Sequence, residues 1–332
     1  MSELVAAEGA FLAEIIEATF DIWNEGLNRF AYGRYYAAQL ATPWGRAHLH
    51  RTALVDASRG SSVLASLKEY RFEAVLDGRP IRVVGIGAVF TQPAHRRRGH
   101  ARALLERVLE RAAGDGCDLA LLFSEIDPAY YARLGFVPLE TTELQLRVVE
   151  SDRYGAPAML VRAGDDRDLA DIAAMGAVRA APFRFHLTRD RDLVHYAIAK
   201  RRLLAGLGTA GLREIQFFIV EEGASAVAYV AIVARREAAG GKVEWTIDSL
   251  GDRDPSGARV GAILQTLVAR EPAERRPTVK AWLPANFRPP QIAIVSSAKP
   301  RDVMMIKPLT LQGTPARPLQ ASDILYWHGD LF

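Results

Sequence analysis

Between residues 100 and 113 the apolar positions fall in a single stripe. Ala101, Leu104, Leu105, Val108, Leu109 and Ala112 recur every three or four residues, and Arg102, Glu106, Arg107, Glu110 and Arg111 take the other face. That period belongs to an amphipathic helix, which Gly114 and Gly116 end. A rougher spacing of Val5, Leu12, Ile15, Ile16 and Phe20 predicts a helix over 5–20. Residues 61–67, 70–76 and 82–90 read as strands, with Asp77-Gly78-Arg79-Pro80 turning between the last two. The continuous apolar run 118–123 suits a strand covered on both faces. Residues 129–136 then predict a short helix closed by Gly135, and 144–149 a further strand.

After a break at Gly155 and Pro157 the order of elements begins again. Residues 161–175 read as a strand leading into a helix capped by Asp165 or Asp166. Residues 215–220 and 226–233 flank a second hairpin, and 244–250, 257–270 and 278–284 give strand, helix, strand. The expectation is an α/β chain with mixed sheets, divided into domains 1–155 and 156–332, the second a diverged repeat of the first. At 332 residues the chain also exceeds the size at which one core usually keeps growing. The tail 323–332 is a last extended candidate.

Composition narrows the class. Hydrophobic content of 49% and charged content of 24% are ordinary for a soluble globular protein. Forty-two basic against 39 acidic residues leave a net charge of only +3, which argues against nucleic acid as a partner. The N-terminus carries Glu3, Glu8 and Glu14 without an early basic residue, unlike a secretory signal. No apolar run approaches the roughly 20 residues of a membrane span. Cys117 stands alone, so the chain forms no internal disulfide and suits a reducing compartment. No metal site is expected from seven histidines without ligand spacing. These readings give a cytoplasmic protein with no membrane or nucleic-acid partner.

The chemistry concentrates at His95-Arg96-Arg97-Arg98-Gly99-His100-Ala101. A glycine opening a helix after a strand makes an anion site, because the first helical N–H groups lack internal partners and the dipole adds positive charge. Gly99 removes the Cβ that would obstruct a phosphate.

Arg96-x-x-Gly99-x-Ala101 after the strand 85–93, with Tyr131-Ala-Arg-Leu-Gly135-Phe136 some 30 residues on, resembles the GCN5-related N-acetyltransferase (GNAT) superfamily over roughly residues 50–150. The resemblance implies tandem GNAT-like domains, the first catalytic and the second degenerate. The degenerate half has Asp254-Pro255-Ser256-Gly257-Ala258 in place of the arginines. It implies that the N–H groups of Arg97, Arg98, Gly99, His100, Ala101 and Arg102, with Arg96, hold the pyrophosphate of acetyl-CoA. Ala88, Val89 and Phe90 would pair with the pantetheine arm. Tyr131 would protonate the departing thiolate while an amine attacks directly. Cys117 reads as structural, and His95 and His100 as surface residues. Glu125 and Asp127 are either bases or loop carboxylates capping the next helix.

Residues 30–72 loosely resemble the N-terminal region of fungal-type lysine N-acetyltransferases, which implies a small amine such as an amino acid. Tyr32, Tyr35, Tyr36 and Trp44 then line the acceptor pocket or form a packed cap. The chain ends on an aromatic residue, as a docked terminus does. Some two-domain acetyltransferases, including the mycobacterial aminoglycoside-modifying type, place the final carboxylate in the active site. By that resemblance the Phe332 carboxylate is a candidate base, with Asp330 or His328 nearby. The expected function is N-acetyl transfer from acetyl-CoA to a small primary amine; the alternative is a silent acyl-CoA-binding sensor.

Overall fold

A computed structural model describes residues 2–57, 62–149, 160–236, 242–272, 276–284, 287–330 and 332. The predicted break at Gly155 and Pro157 lies outside the described residues. The chain opens with strand β1 (Ser2–Ala6), paired antiparallel with β2 (Leu49–Asp56). The first helix, α1 (Gly9–Trp23), therefore begins later than the expected 5–20. The aromatic stretch, which carried no element in the sequence reading, forms α2 (Arg29–Ala41) and α3 (Pro43–His48). Asn28 caps α2 by accepting from the Ala31 N–H at 2.9 Å. Tyr32, Tyr35, Tyr36 and Gln39 fall at i, i+3, i+4 and i+7 on its buried side.

The two expected strands at 61–76 are one long strand, β3 (Ser62–Leu76), paired with β4 (Arg79–Thr91). Their turn is Asp77-Gly78, both with positive φ, as a tight hairpin requires. Helix α4 (His100–Gly114) follows and buries Leu104, Leu105, Val108, Leu109 and Ala112, the stripe read from the sequence. Each large member of that stripe contributes about 1.5–3 kcal/mol of burial. Then come β5 (Leu119–Ser124), α5 (Ala129–Ala132), β6 (Val137–Pro138) and β7 (Glu143–Val148).

The second half runs β8 (Leu160–Ala163), α6 (Leu169–Ala180), β9 (Phe185–Leu187) and α7 (Arg191–Leu207). It continues with β10 (Arg213–Glu222), β11 (Ser225–Arg236), β12 (Val243–Asp252), α8 (Ala258–Ala269) and β13 (Thr278–Ala281). Strands β14 (Ile292–Ala298), β15 (Val303–Pro308) and β16 (Ile324–Leu325) complete it. Apart from β9, the order from β8 to β13 resembles that from β1 to β5: helices follow the first strand, three in the first half and two in the second, and one helix precedes the last strand.

The two mixed sheets exchange a strand. In the first, β15 of the second half sits between β5 and β6; in the second, β7 of the first half sits between β13 and β14. A division of the chain near 155 therefore separates stretches of sequence and not sheets. The β15 pairing covers the whole length of β5, from Leu119 opposite Pro308 to Ser124 opposite Val303. One large core lies between the sheets, joining Tyr70 and Phe72 of the first to Trp245 and Ile247 of the second. A second core lies under α4 on the other face of the first sheet. The tail expected as extended over 323–332 pairs only through β16 and then folds into a 3-10 turn at 328–330. No helix among the described residues is long and apolar enough to cross a membrane.

Candidate active site

The site begins where β4 leaves β5. Their parallel pairing ends at Ile86 opposite Leu122, yet both strands continue, so a gap opens between them. On the other side of β4 the register with β3 slips between Ser66 and Lys68. Ala88 stands there with φ of 48°, a left-handed conformation that a non-glycine residue adopts at a cost. This bulge turns the end of β4 away. Ala88 and Val89 stay part-exposed at the gap, while the Phe90 side chain is buried and packs edge-on against Trp23.

The chain then curls through Pro93–His95 into the arginine loop. Arg97 has φ of 62° and Gly99 of 81°, and these two left-handed residues coil the main chain at the mouth of α4. Arg96, Arg97, Arg98 and Gly99 are exposed, and His100 and Ala101 half-buried. Arg96 Nε donates to the Thr91 carbonyl at 3.3 Å and ties the loop to its strand. Arg102 pairs along the helix with Glu106 at 2.8 Å. His95 and His100 face each other edge-on at the loop. A Cβ at Gly99 would have nothing within 4 Å, so the space above the helix mouth is open.

The second half makes the contrast. At the mouth of α8, which also opens with a left-handed glycine, Gly257, the Asp252 carboxylate accepts from the N–H groups of Arg259 at 3.0 Å and Val260 at 3.4 Å. An internal anion already fills that helix mouth. No side chain among the described residues fills the corresponding place at α4. The exposed N–H groups, positive φ angles and open space fit an anion such as a pyrophosphate.

Tyr131, on α5, is 8% exposed and sits on the α4 side of the sheet, edge-on to Tyr130 and Phe136. Burial pushes its phenol up to about 12. Asp127 caps α5 by accepting from the Ala129 N–H at 2.9 Å, and Glu125 pairs with Arg301 at the surface. Cys117 is buried with Arg71 Nη1 2.9 Å from its sulfur.

The chain's end comes to the opposite face of the same gap. The Phe332 ring lies on Tyr70, Phe72 and Phe123, with centroids 4.6, 5.4 and 5.2 Å away. It occupies the strip of β4 that Gly85 and Gly87 leave bare: a Cβ on Gly85 would stand 2.7 Å from the Phe332 ring. Charged groups hold the turn before it. Arg201 donates to the His328 carbonyl at 2.8 Å and to Asp248 at 3.0 Å, and Arg189 pairs with Asp330 at 3.2 Å. Burial pushes the His328 imidazole down to about 4 and raises the Asp330 carboxyl against the pull of Arg189.

Residues 14–139 match the model of the acetyltransferase (GNAT) domain. That stretch is similar to a GNAT domain. Solved structures share the fold over nearly the whole chain. A GCN5-related N-acetyltransferase from Anabaena variabilis is 12% identical with a TM-score of 0.68, covering 94% of this chain and 74% of that one. A conserved protein from Enterococcus faecalis is 13% identical with the same TM-score and the same two coverages. A GCN5-related N-acetyltransferase from Kribbella flavida is 18% identical with a TM-score of 0.61, covering 92% and 70%. None of the curated proteins matches the chain.

Within the matched residues, Trp44 stacks between Phe72 and Tyr196, and Tyr32 and Tyr35 pack with Leu204 of α7, so these rings join the two halves. Tyr36 differs, lying under the cations of Arg51 and Lys68. Neither cation stood out in sequence, although a charged residue inside an otherwise apolar strand is a usable signal. The Gly85-x-Gly87 pair was equally legible, since glycines two apart strip one face of a strand.

Proposed function

We propose that this chain is an N-acetyltransferase that moves the acetyl group of acetyl-CoA directly to a primary amine of a small molecule. What supports the reading is the open left-handed loop at the mouth of α4 beside the splay of β4 and β5, with Tyr131 buried in the core on the α4 side of that sheet and Phe332 packed on β4 and β5 from the other side. The arginine loop and the N–H groups at the mouth of α4 would hold the pyrophosphate, with Ala88, Val89 and Phe90 lining the path to the gap. The amine nitrogen attacks the carbonyl carbon; a C–N bond forms and the C–S bond breaks. The Phe332 carboxylate accepts the proton that the amine gives up, and Tyr131 donates its phenolic proton to the thiolate. Both groups act mainly by position, since the reaction needs the amine aligned against the thioester. The second half, its helix mouth already filled by Asp252, serves as a scaffold that carries the tail.

The test is an assay of free thiol release from acetyl-CoA across amines that include amino acids, polyamines and aminoglycosides. Tyr131→Phe is expected to lower kcat by about 10²–10⁴ while the Kd for acetyl-CoA changes less than threefold. Acetyl-CoA binding without thiol release for any amine would support a silent acyl-CoA sensor instead.

A further inference from the structure

The face of the first sheet that carries Tyr70 and the chain's end also holds two cations that the transfer steps leave unused. Arg51 pairs directly with Lys68 across β2 and β3, and Lys68 pairs in turn with Gly87. Directly paired residues share a face, so both side chains stand on the side that Gly87 leaves bare. They converge on one ring: Arg51 Cζ lies 5.3 Å and Lys68 Nζ 5.2 Å from the centroid of Tyr36. Arg51 is 6% exposed, and its Nε has no hydrogen-bond partner. Ser66, two residues before Lys68 on the same face, is fully buried with an unpartnered hydroxyl. Lys68 keeps some exposure, so the cluster reaches solvent.

Burial works against a protonated Arg51, and on Lys68 the cations Arg51 and Lys200 act against the charge that the Glu25 carboxylate favours. Burial together with that repulsion pushes the Lys68 ammonium down to about 7. Buried cations are ordinarily paired, and a guanidinium matches a carboxylate with parallel hydrogen bonds. The Phe332 carboxylate, against Gly87, offers one anion to the two cations, so a polycationic acceptor would still meet a positive face and a further anionic group would complete it.

We infer that Arg51 and Lys68 form the seat for an acid group on the acceptor, so that the amine acetylated is one carrying a carboxylate. The inference rests on the acetyl-transfer reading and names the acceptor class within it. Arg51, Lys68 and Gly87 lie on three adjacent strands, so the seat is one to two strand spacings, roughly 5–10 Å, from the gap. Lysine acetylated at its ε-amine spans that distance, because its side-chain methylenes lie between the amine and the carboxylate.

The experiment compares amines with their decarboxylated twins: lysine with 1,5-diaminopentane, and ornithine with 1,4-diaminobutane. The expected kcat/KM favours the carboxylated member at least tenfold. Lys68→Gln and Arg51→Gln each bring that ratio toward one by raising KM rather than lowering kcat, and Arg51→Lys recovers part of it. Turnover of the twins, or of polyamines, as efficient as that of the amino acids would overturn the inference while leaving acetyl transfer intact. Absence of turnover with every amine would remove the transfer reading, and calorimetry then decides the seat separately. N-acetyl-lysine binding no tighter than N-acetyl-1,5-diaminopentane in the presence of CoA overturns it, and tighter binding that Lys68→Gln abolishes supports it.

Discussion

The main-chain carbonyl carbon of Phe332 lies 3.3 Å from the point where a Cβ on Gly87 would stand. The last residue of the chain thus closes on the strand beside the gap between β4 and β5, over a strip made accessible by two glycines.

That packing makes Gly85 a test of the tail's position. A methyl at Gly85 would meet the rings of Phe332 at 2.7 Å and Phe72 at 2.8 Å. Gly85→Ala is expected to cost about 1–3 kcal/mol by overpacking and to displace Phe332. The kcat should fall at least tenfold with the Kd for acetyl-CoA unchanged. Turnover measured beside calorimetry checks it, and full activity would separate the tail from the chemistry.

Gly99 probes the anion cradle by a different cause. Its φ of 81° and ψ of 2° are left-handed, and nothing lies near its Cβ direction, so a substitution fails through the backbone and not by a clash. Gly99→Val costs roughly 1–2 kcal/mol of conformational strain and opens the coil of N–H groups. Acetyl-CoA affinity should drop at least tenfold by calorimetry while the melting temperature shifts only a few degrees. Unchanged affinity would move the pyrophosphate elsewhere.

The tail also carries a pH signature. His328 ordinarily titrates near 6.5, and burial lowers it to about 4 in the folded chain. As pH falls, the unfolded chain takes up the proton first. The stability that the neutral imidazole permits is therefore full above about 6.5 and is lost as pH drops toward 4, by up to about 3 kcal/mol. His328→Gln should lose less stability over that interval, because it has no imidazole to protonate. Denaturant unfolding of both chains at pH 7 and pH 4.5 measures the difference; parallel losses would contradict the burial of His328. Asp330 titrates in both chains and cancels in the comparison.

The first half of the fold was largely legible because its signals are local. The α4 stripe, the Asp77-Gly78 turn and the glycine at the helix mouth are each set by a few adjacent residues. The helix over 29–41 was missed because tyrosines fill its buried side, where a helix pattern usually shows aliphatic residues. The exchange of β7 and β15 left no trace in the sequence, since strand partners more than 130 residues apart are chosen by the sheets and not by the strands. The same limit applies to the site: the arginine loop was readable from spacing, whereas Arg51, Lys68 and Phe332 meet only through pairing across β2, β3 and β4. The aromatic end of the chain was the one distant feature with a local signal.

In the proposed transfer the carboxylate of Phe332 accepts the proton of the attacking amine. Converting that carboxylate to the amide by semisynthesis leaves the ring and its contacts in place and removes only the base. The kcat is expected to fall at least a hundredfold with acetyl-CoA and acceptor affinities within threefold of the native chain. Native turnover by the amidated enzyme would contradict it.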